Sequence, residues 1–423
     1  MFLTFEFWMS VLAFLSFGFI GRKCGIDVTR LLAFLLAGSC WLIYSASPFS
    51  FFVLVLFFIF CVLLDALPLQ RYIKILMQVC FLIAVKWLFI SDYIEFLPLG
   101  ISFIVFQSIS FSLDRESVGG HHSSLRRAGY LFMFPQVFAG PIIKYQQFTA
   151  QLHNLFLFNQ ERFVLGVTMI LLGLIYKEMF AGSVAPSVNT LFGEISGKSF
   201  LNVYLGGVLF GLQIYGDFLG YSLLALGLCR IIGFTFPDNF FFPYASTSAS
   251  EFWRRWHISL GRFFHEYVYI PLQKNLGLGR KTATFIVFCV SGVWHGIGLN
   301  FLVWGAYHGF FVLLERLVNV TSYLGKAGSW IYVCNVVIVG WVLFRVESIG
   351  DLQGLVFALD VDNSLVMEAC KGIILLVLLE LVHYFLVYRQ GNLNYLAIPM
   401  LFCLAVGGLL IGEQPSAFIY FQF

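Results

Sequence analysis

Apolar runs about as long as a bilayer is thick recur along this chain, and they constrain its fold more than any other feature. They fall at about 1–20, 31–44, 48–64, 72–90, 163–181, 200–234, 282–318, 329–345, 372–388 and 395–412. About 20 consecutive apolar residues cross the roughly 30 Å of hydrocarbon as a helix, so the runs at 200–234 and 282–318 are long enough for two passes each. The runs are continuous rather than alternating, which excludes a membrane β-barrel. Charged residues make up 11% of the 423, against about 25% in a soluble domain. A soluble enzyme, a disordered chain and a nucleic-acid binder are excluded on that ground. The expected class is an all-α integral membrane protein, a single domain over 1–423, with at most roughly a dozen spans.

Several runs are short for a bilayer, so tilted or re-entrant segments are expected. The net charge of +3 is too small to imply a polyanionic partner. The 9 cysteines are scattered without a C-x-x-C pair, which argues against a disulfide framework or a zinc site. The first run lacks a basic start and a cleavage site. It reads as a retained span with its Arg22–Lys23 end on the cytoplasmic side. Loops are expected at 114–127 and at 346–371, the latter with Asp351, Asp360, Asp362 and Glu368.

The segment 238–281 breaks the pattern. It holds Arg254, Arg255, Arg262, Lys274, Arg280 and Lys281 among many aromatics. A lipid-facing cation at mid-bilayer costs at least about 2.5–3.5 kcal/mol, so its three closely spaced arginines would cost about 8–10 kcal/mol. That is comparable to a whole domain's stability. The segment therefore lines a wet cavity or lies at an interface, where an amphipathic helix is the plainer reading. Ser248 and Glu251 fit a capping box, and Pro271 predicts a stop at Ile270. Between them Trp253, Trp256, Leu260, Phe263 and Tyr267 recur at helical spacing. Arg255, Ser259, Arg262 and Glu266 form a second face, with His257 and His265 on a third.

Among the histidines, His121 and His122 read as surface residues, His153 carries no signal, and His383 near Arg389 reads as packed at an interface. His295 differs, lying between Trp294 and Gly296 deep in an apolar run. An ionisable group at that depth is a functional candidate; a histidine bonded to a backbone carbonyl is the competing reading. Gly292, Gly296 and Gly298 leave room beside it. His308 would point about 220° away from His295 on one helix. The two can share a small site only if Gly298–Asn300 breaks the helix. No H-E-x-x-H motif exists, so no metal site is expected. A histidine base near cations suits acyl transfer and equally a proton-coupled transporter, and the residues alone leave that choice open.

Ordered strings over about two-thirds of the chain resemble one family. They are LGISFIVFQSISFSLD at 99–114, FPQVFAGPIIKY at 134–145, FGLQIYGDFLGY from 210, EFWRRWHISL at 251–260 and YVYIPL at 267–272. VSGVWHGIGLNFLVWGAYHG at 290–309, GWVLFRVES at 340–348 and FIYFQF at 418–423 follow. The chain resembles the membrane-bound O-acyltransferases, and within them the bacterial branch that O-acetylates secreted polysaccharides such as alginate, with a motif core at 99–348. Departures are Leu223 and Leu224 after Ser222, and His265–Glu266 where an Arg-Asp pair is usual.

The resemblance implies a ring of roughly 11–13 transmembrane and re-entrant helices around a thinned centre with a tunnel. It makes His295 the catalytic residue and His257 the second important histidine. It also implies tunnel or substrate contacts for Trp294, Trp256, Asp217, Tyr215, Arg254, Arg255, Gln107 and Asn300. Arg254, Arg255 and Lys274 would face donor phosphates or solvent. Asp217 would pair with a basic or histidine group near the tunnel, or form a structural salt bridge between helices. The implied activity moves an acetyl group from cytoplasmic acetyl-CoA or a carrier-linked thioester, with no bound cofactor, to a cell-envelope or secreted polysaccharide. A secreted or membrane-anchored SGNH-type acyltransferase is the implied partner and the bacterial cytoplasmic membrane the implied location. D-alanyl transfer to teichoic acid from a carrier protein, or lipid or polymer transport without acyl transfer, are the alternatives.

Overall fold

A computed structural model describes residues 5–91, 93–94, 97–114, 123–318, 320–357, 360–389 and 397–405. Most of the expected loop at 114–127, with His121 and His122, and the closing string at 418–423 lie outside these residues. The fold is all-α. β-structure among the described residues is confined to an isolated parallel bridge between Ser199 and Val356. The first four helices, α1 (Phe5–Lys23), α2 (Val28–Ala46), α3 (Pro48–Ala66) and α4 (Arg71–Ile90), follow the first four apolar runs. Asp27 and Ser47 cap α2 and α3 by accepting backbone N–H groups of the first turn, the arrangement that satisfies donors a helix start leaves open. Phe52, Leu56, Ile59 and Leu63 expose one stripe of α3, as a lipid-facing helix requires. Six described helices are long and apolar enough to cross a membrane, so the chain is a multi-pass membrane protein.

The shorter α5 (Ile101–Asp114) is buried along one turn after another. After short helices at Ser124–Leu131, Phe134–Ala139 and Tyr145–Thr149 comes the long α6 (Gln160–Gly193), with a π-helical turn at Ile175–Ala181. The run at 200–234, long enough for two passes, is instead one 33-residue helix, α7 (Phe200–Ile232). It is buried along nearly its whole length, so its extent is set by neighbouring helices and not by lipid. Ser199 caps its start and Gly233, at φ 120°, ends it. Close packing on α6 depends on glycines, because a Cβ on Gly227 would stand 2.5 Å from the Gly166 carbonyl oxygen.

The cation-rich segment folds as α8 (Ala249–Arg255) and α9 (Ile258–Phe264), separated at Trp256 and His257. The single helix expected from 248 to 270 is thus broken. Pro271 does not stop it either: a π turn at His265–Tyr269 leads into Ile270–Lys274. There the Ile270 N–H reaches back five residues to His265. That wider turn carries Pro271 past the i−4 hydrogen bond it cannot donate.

The run at 282–318 does form two helices, α10 (Arg280–His295) and α11 (Leu299–Leu317). They pack as a hairpin in which a Cβ on Gly292 would lie 2.2 Å from the Phe301 carbonyl oxygen, and one on Gly305 2.3 Å from that of Phe288. Beyond it run α12 (Val320–Arg345), kinked at Gly325, and α13 (Asn363–His383). The expected loop at 346–371 ends early, because Asp362 caps α13 and Glu368 lies within that helix, accepting from Ser187 at 2.7 Å.

Candidate active site

The break between α8 and α9 puts His257 in a left-handed conformation, φ 45° and ψ 54°. Such a residue without glycine's freedom costs of order 1–3 kcal/mol and persists only where its surroundings hold it. Here the holder is Asn239, fully buried on the loop that follows α7. Its backbone carbonyl accepts from the Ile258 N–H at 2.9 Å. Its Oδ1 accepts from the Ser259 N–H at 3.2 Å and the Ser259 hydroxyl at 2.9 Å, while its Nδ2 donates to the Ser222 hydroxyl at 3.3 Å. The same Ser259 Oγ accepts from the Ile142 N–H at 3.0 Å.

On the other side of the break, Ser248 caps α8 through the Glu251 N–H at 3.0 Å. Burial alone would raise the Glu251 carboxyl. Hydrogen bonds from Thr247 and Arg255 outweigh it and hold the group below its usual range.

His295 arrives from the opposite side as the last residue of α10. The chain leaves the helix at Gly296–Gly298, two residues earlier than the break considered at Gly298–Asn300, and turns into α11. That turn brings His308 near, since Trp304 presents its ring to both His295 and His308 at 5.1 Å. His308 itself is not in the cavity wall.

A cavity of about 510 Å³ opens between the two segments. His257 and His295 both line it, and Trp253, Trp256, Trp304 and Trp341 form its aromatic wall. Arg254, Arg262 and Arg316 also line it. Arg316 is oriented by donating to the Thr284 hydroxyl at 3.1 Å, and Glu315 accepts the Ala249 N–H at 2.6 Å, tying α11 to the start of α8. Trp294 spans the two histidines, its ring 4.5 Å from that of His295 and 6.5 Å from that of His257. The His257 ring meets Phe218 edge-on at 4.6 Å, and the His295 ring meets Phe344 edge-on at 5.1 Å. Both histidines are buried and packed against aromatic rings.

The remaining candidates are placed elsewhere. Asp217 is not in this cavity; it pairs with Lys177 at 2.6 Å, both side chains 3% exposed, as a salt bridge between α7 and α6. Tyr215 donates to Glu380 of α13 at 2.5 Å, with its ring 5.8 Å from that of Trp256. Arg255 turns away to Glu251 at 2.7 Å. Asn300 donates to the Val346 carbonyl at 2.9 Å and pins the start of α11 to the end of α12. Gln107 is buried on α5. Lys274 is exposed. His383 is buried among Tyr176, Phe242 and Tyr388 rather than at an interface, because α13 turns that face inward.

Two residues that shape the site carried only faint signals. Asn239 sits in the string DNFFFPY, and Lys86 is one of two lysines, with Lys74, inside the apolar run at 72–90.

An all-helical multi-pass protein with two buried histidines facing a cation-lined cavity defines the class. Residues 30–335 match the profile of the membrane-bound O-acyltransferase family, and the chain belongs to that family. It is 36% identical over 263 residues to a probable alginate O-acetylase of Azotobacter vinelandii, covering 60% of this chain and 52% of that protein. A peptidoglycan O-acetyltransferase of Helicobacter pylori is 27% identical over 396 residues, 77% of this chain and 75% of its own length. A teichoic acid D-alanyltransferase of Bacillus subtilis is 28% identical over 250 residues, 55% of this chain and 62% of that protein. The chain spans about half the length of the alginate O-acetylases it matches.

Proposed function

We propose that this chain is a membrane O-acyltransferase that moves an acetyl group from a cytoplasmic thioester toward a hydroxyl of a cell-envelope or secreted polysaccharide. The observation that carries the reading is one cavity lined together by His257, His295 and the three arginines Arg254, Arg262 and Arg316. A thioester donor such as acetyl-CoA, or an acyl group on a carrier's phosphopantetheine, brings phosphates, and guanidinium groups bind phosphate with planar, paired hydrogen bonds. His295 then takes the proton of the acceptor hydroxyl. The oxygen attacks the thioester carbonyl, the C–O bond forms as the C–S bond breaks, and the imidazolium returns its proton to the departing thiolate. His257, held rigidly at the break, orients the acyl group from the opposite wall.

We place the protein in the bacterial cytoplasmic membrane. A secreted or membrane-anchored SGNH-type acyltransferase is its partner in the final transfer to polymer. The test is His295→Ala in the full chain, scored for membrane insertion and for ester-linked acetate on the envelope polymers. Loss of acetate with normal insertion supports the reading; retained acetate overturns it. D-alanine lost from teichoic acid instead of acetate would move the assignment to D-alanyl transfer, and polymer flux that survives the substitution would move it to transport.

A further inference from the structure

We propose that Lys86 is a positioning residue for His295, fixing the imidazole in the cavity by tying down the C-terminal carbonyls of α10. The side chain leaves α4 at the edge of its buried side, shared with Gln78, Leu82 and Val85, and is itself buried at 7% exposure. Its ammonium donates to the carbonyl of Trp294 and, at 3.2 Å, to the carbonyl of His295. The last four carbonyls of any helix lack partners within it. Beyond α10 the Gly296 N–H donates to the Gly292 carbonyl at 3.3 Å, and Gly296 is extended at φ −167° and ψ 161°, not coiled back into a left-handed capping turn. A cation is the favoured partner at the negative end of a helix.

The same ammonium lies 5.7 Å from the centre of the Trp294 ring, a cation–π approach, while Phe106 stacks on that ring at 5.2 Å. Lys86 therefore holds both the peptide of His295 and the indole that stands between His295 and His257. Burying a lysine inside a membrane helix is expensive, and such residues pair with backbone carbonyls or mark functional sites. This one pairs with the two carbonyls next to the candidate base. A misplacement of about 1 Å at a reacting group can lower a rate about 100-fold, so a lysine that never touches substrate can still govern turnover.

The catalytic half of this inference rests on the acyl-transfer reading; the anchoring half does not. Lys86→Met, Lys86→Arg and Lys86→Gln in the full chain are compared with wild type in detergent and in proteoliposomes. Acetyl-CoA turnover is read as free thiol, and amide hydrogen exchange is read on peptides spanning 290–300. Lys86→Met is expected to lower kcat about 10–100-fold with the donor KM within about twofold, the range seen when an orienting partner is removed. Exchange at 290–300 should quicken about tenfold or more, as the last turn of α10 opens. Lys86→Arg, which still presents several donors and a charge, should restore most of both.

Unchanged exchange and kcat in an accumulating Lys86→Met protein overturn the proposal. Should that variant fail to accumulate, Lys86→Gln decides the matter: its shorter neutral amide cannot bridge both carbonyls, so wild-type exchange and kcat there overturn it equally. If wild type itself releases no thiol, the acyl-transfer reading from this donor falls. The exchange result alone then supports or overturns the anchoring.

Discussion

Replacing Asn239 by alanine isolates the device that keeps His257 in place. The substitution removes three side-chain hydrogen bonds: two into Oδ1 from Ser259 and one from Nδ2 to Ser222. At a net of about 0.5–1.5 kcal/mol each, the loss is about 1.5–4.5 kcal/mol. The left-handed backbone of His257 stores about 1–3 kcal/mol, so the loss matches or exceeds what holds the strain. The chain at the break should relax out of the left-handed region, carrying the imidazole away from the cavity. Where the relaxed form ends about 3 kcal/mol below the left-handed one, under about 1% of molecules are competent, a fall of about 100-fold in turnover.

Acyl transfer in proteoliposomes reads this directly, with insertion and monodispersity checked on the same preparations. Ser222→Ala removes only the single 3.3 Å contact and should cost less than about tenfold, since one bond is worth about 1 kcal/mol. Ser259→Ala, which loses its hydroxyl bonds to Asn239 and Ile142, should fall between. Wild-type turnover in Asn239→Ala would refute the argument, as would a Ser222→Ala loss as large as that of Asn239→Ala.

The buried pair Lys177–Asp217 predicts that Lys177→Met alone destabilises the protein by about 3–5 kcal/mol, because a buried carboxylate loses its counter-charge. Lys177→Met with Asp217→Leu should recover most of that, read as the denaturation midpoint in detergent at a fixed scan rate. In the α10–α11 hairpin, Gly305→Ala places a methyl 2.3 Å from the Phe288 carbonyl oxygen and should abolish monodisperse protein on size exclusion. At Gly261 the nearest neighbour to such a methyl is 3.7 Å away, so Gly261→Ala should be tolerated or stabilising by about 0.5–1 kcal/mol. Equal behaviour of the two alanines would contradict the packing described for the hairpin.

What could be read from the residues in advance divides along a physical line. Spans are legible because bilayer thickness acts on every residue of a run at once, and α1 to α4 follow their apolar runs closely. The hairpin at 282–318 was legible for a local reason too, since Gly292, Gly296 and Gly298 announce close backbone approach and a break. The run at 200–234 misled for the converse reason. Length limits a helix only where lipid surrounds it, and α7 is surrounded by protein.

The break at His257 was hidden because periodicity survives it. Trp253 sits on α8, Leu260 and Phe263 sit on α9, and each helix keeps its own spacing while the left-handed residue redirects the chain. What forces the break lies elsewhere, in Asn239, whose three side-chain bonds cross 17 to 20 residues of chain. Lys86 is the extreme case. Within its own helix it looks like a lysine reaching for an interface, and its role exists only because α10 ends against it 209 residues later. Pairing across that distance is a property of how the helices pack, so a pattern read along the chain names the histidines but not the groups that aim them.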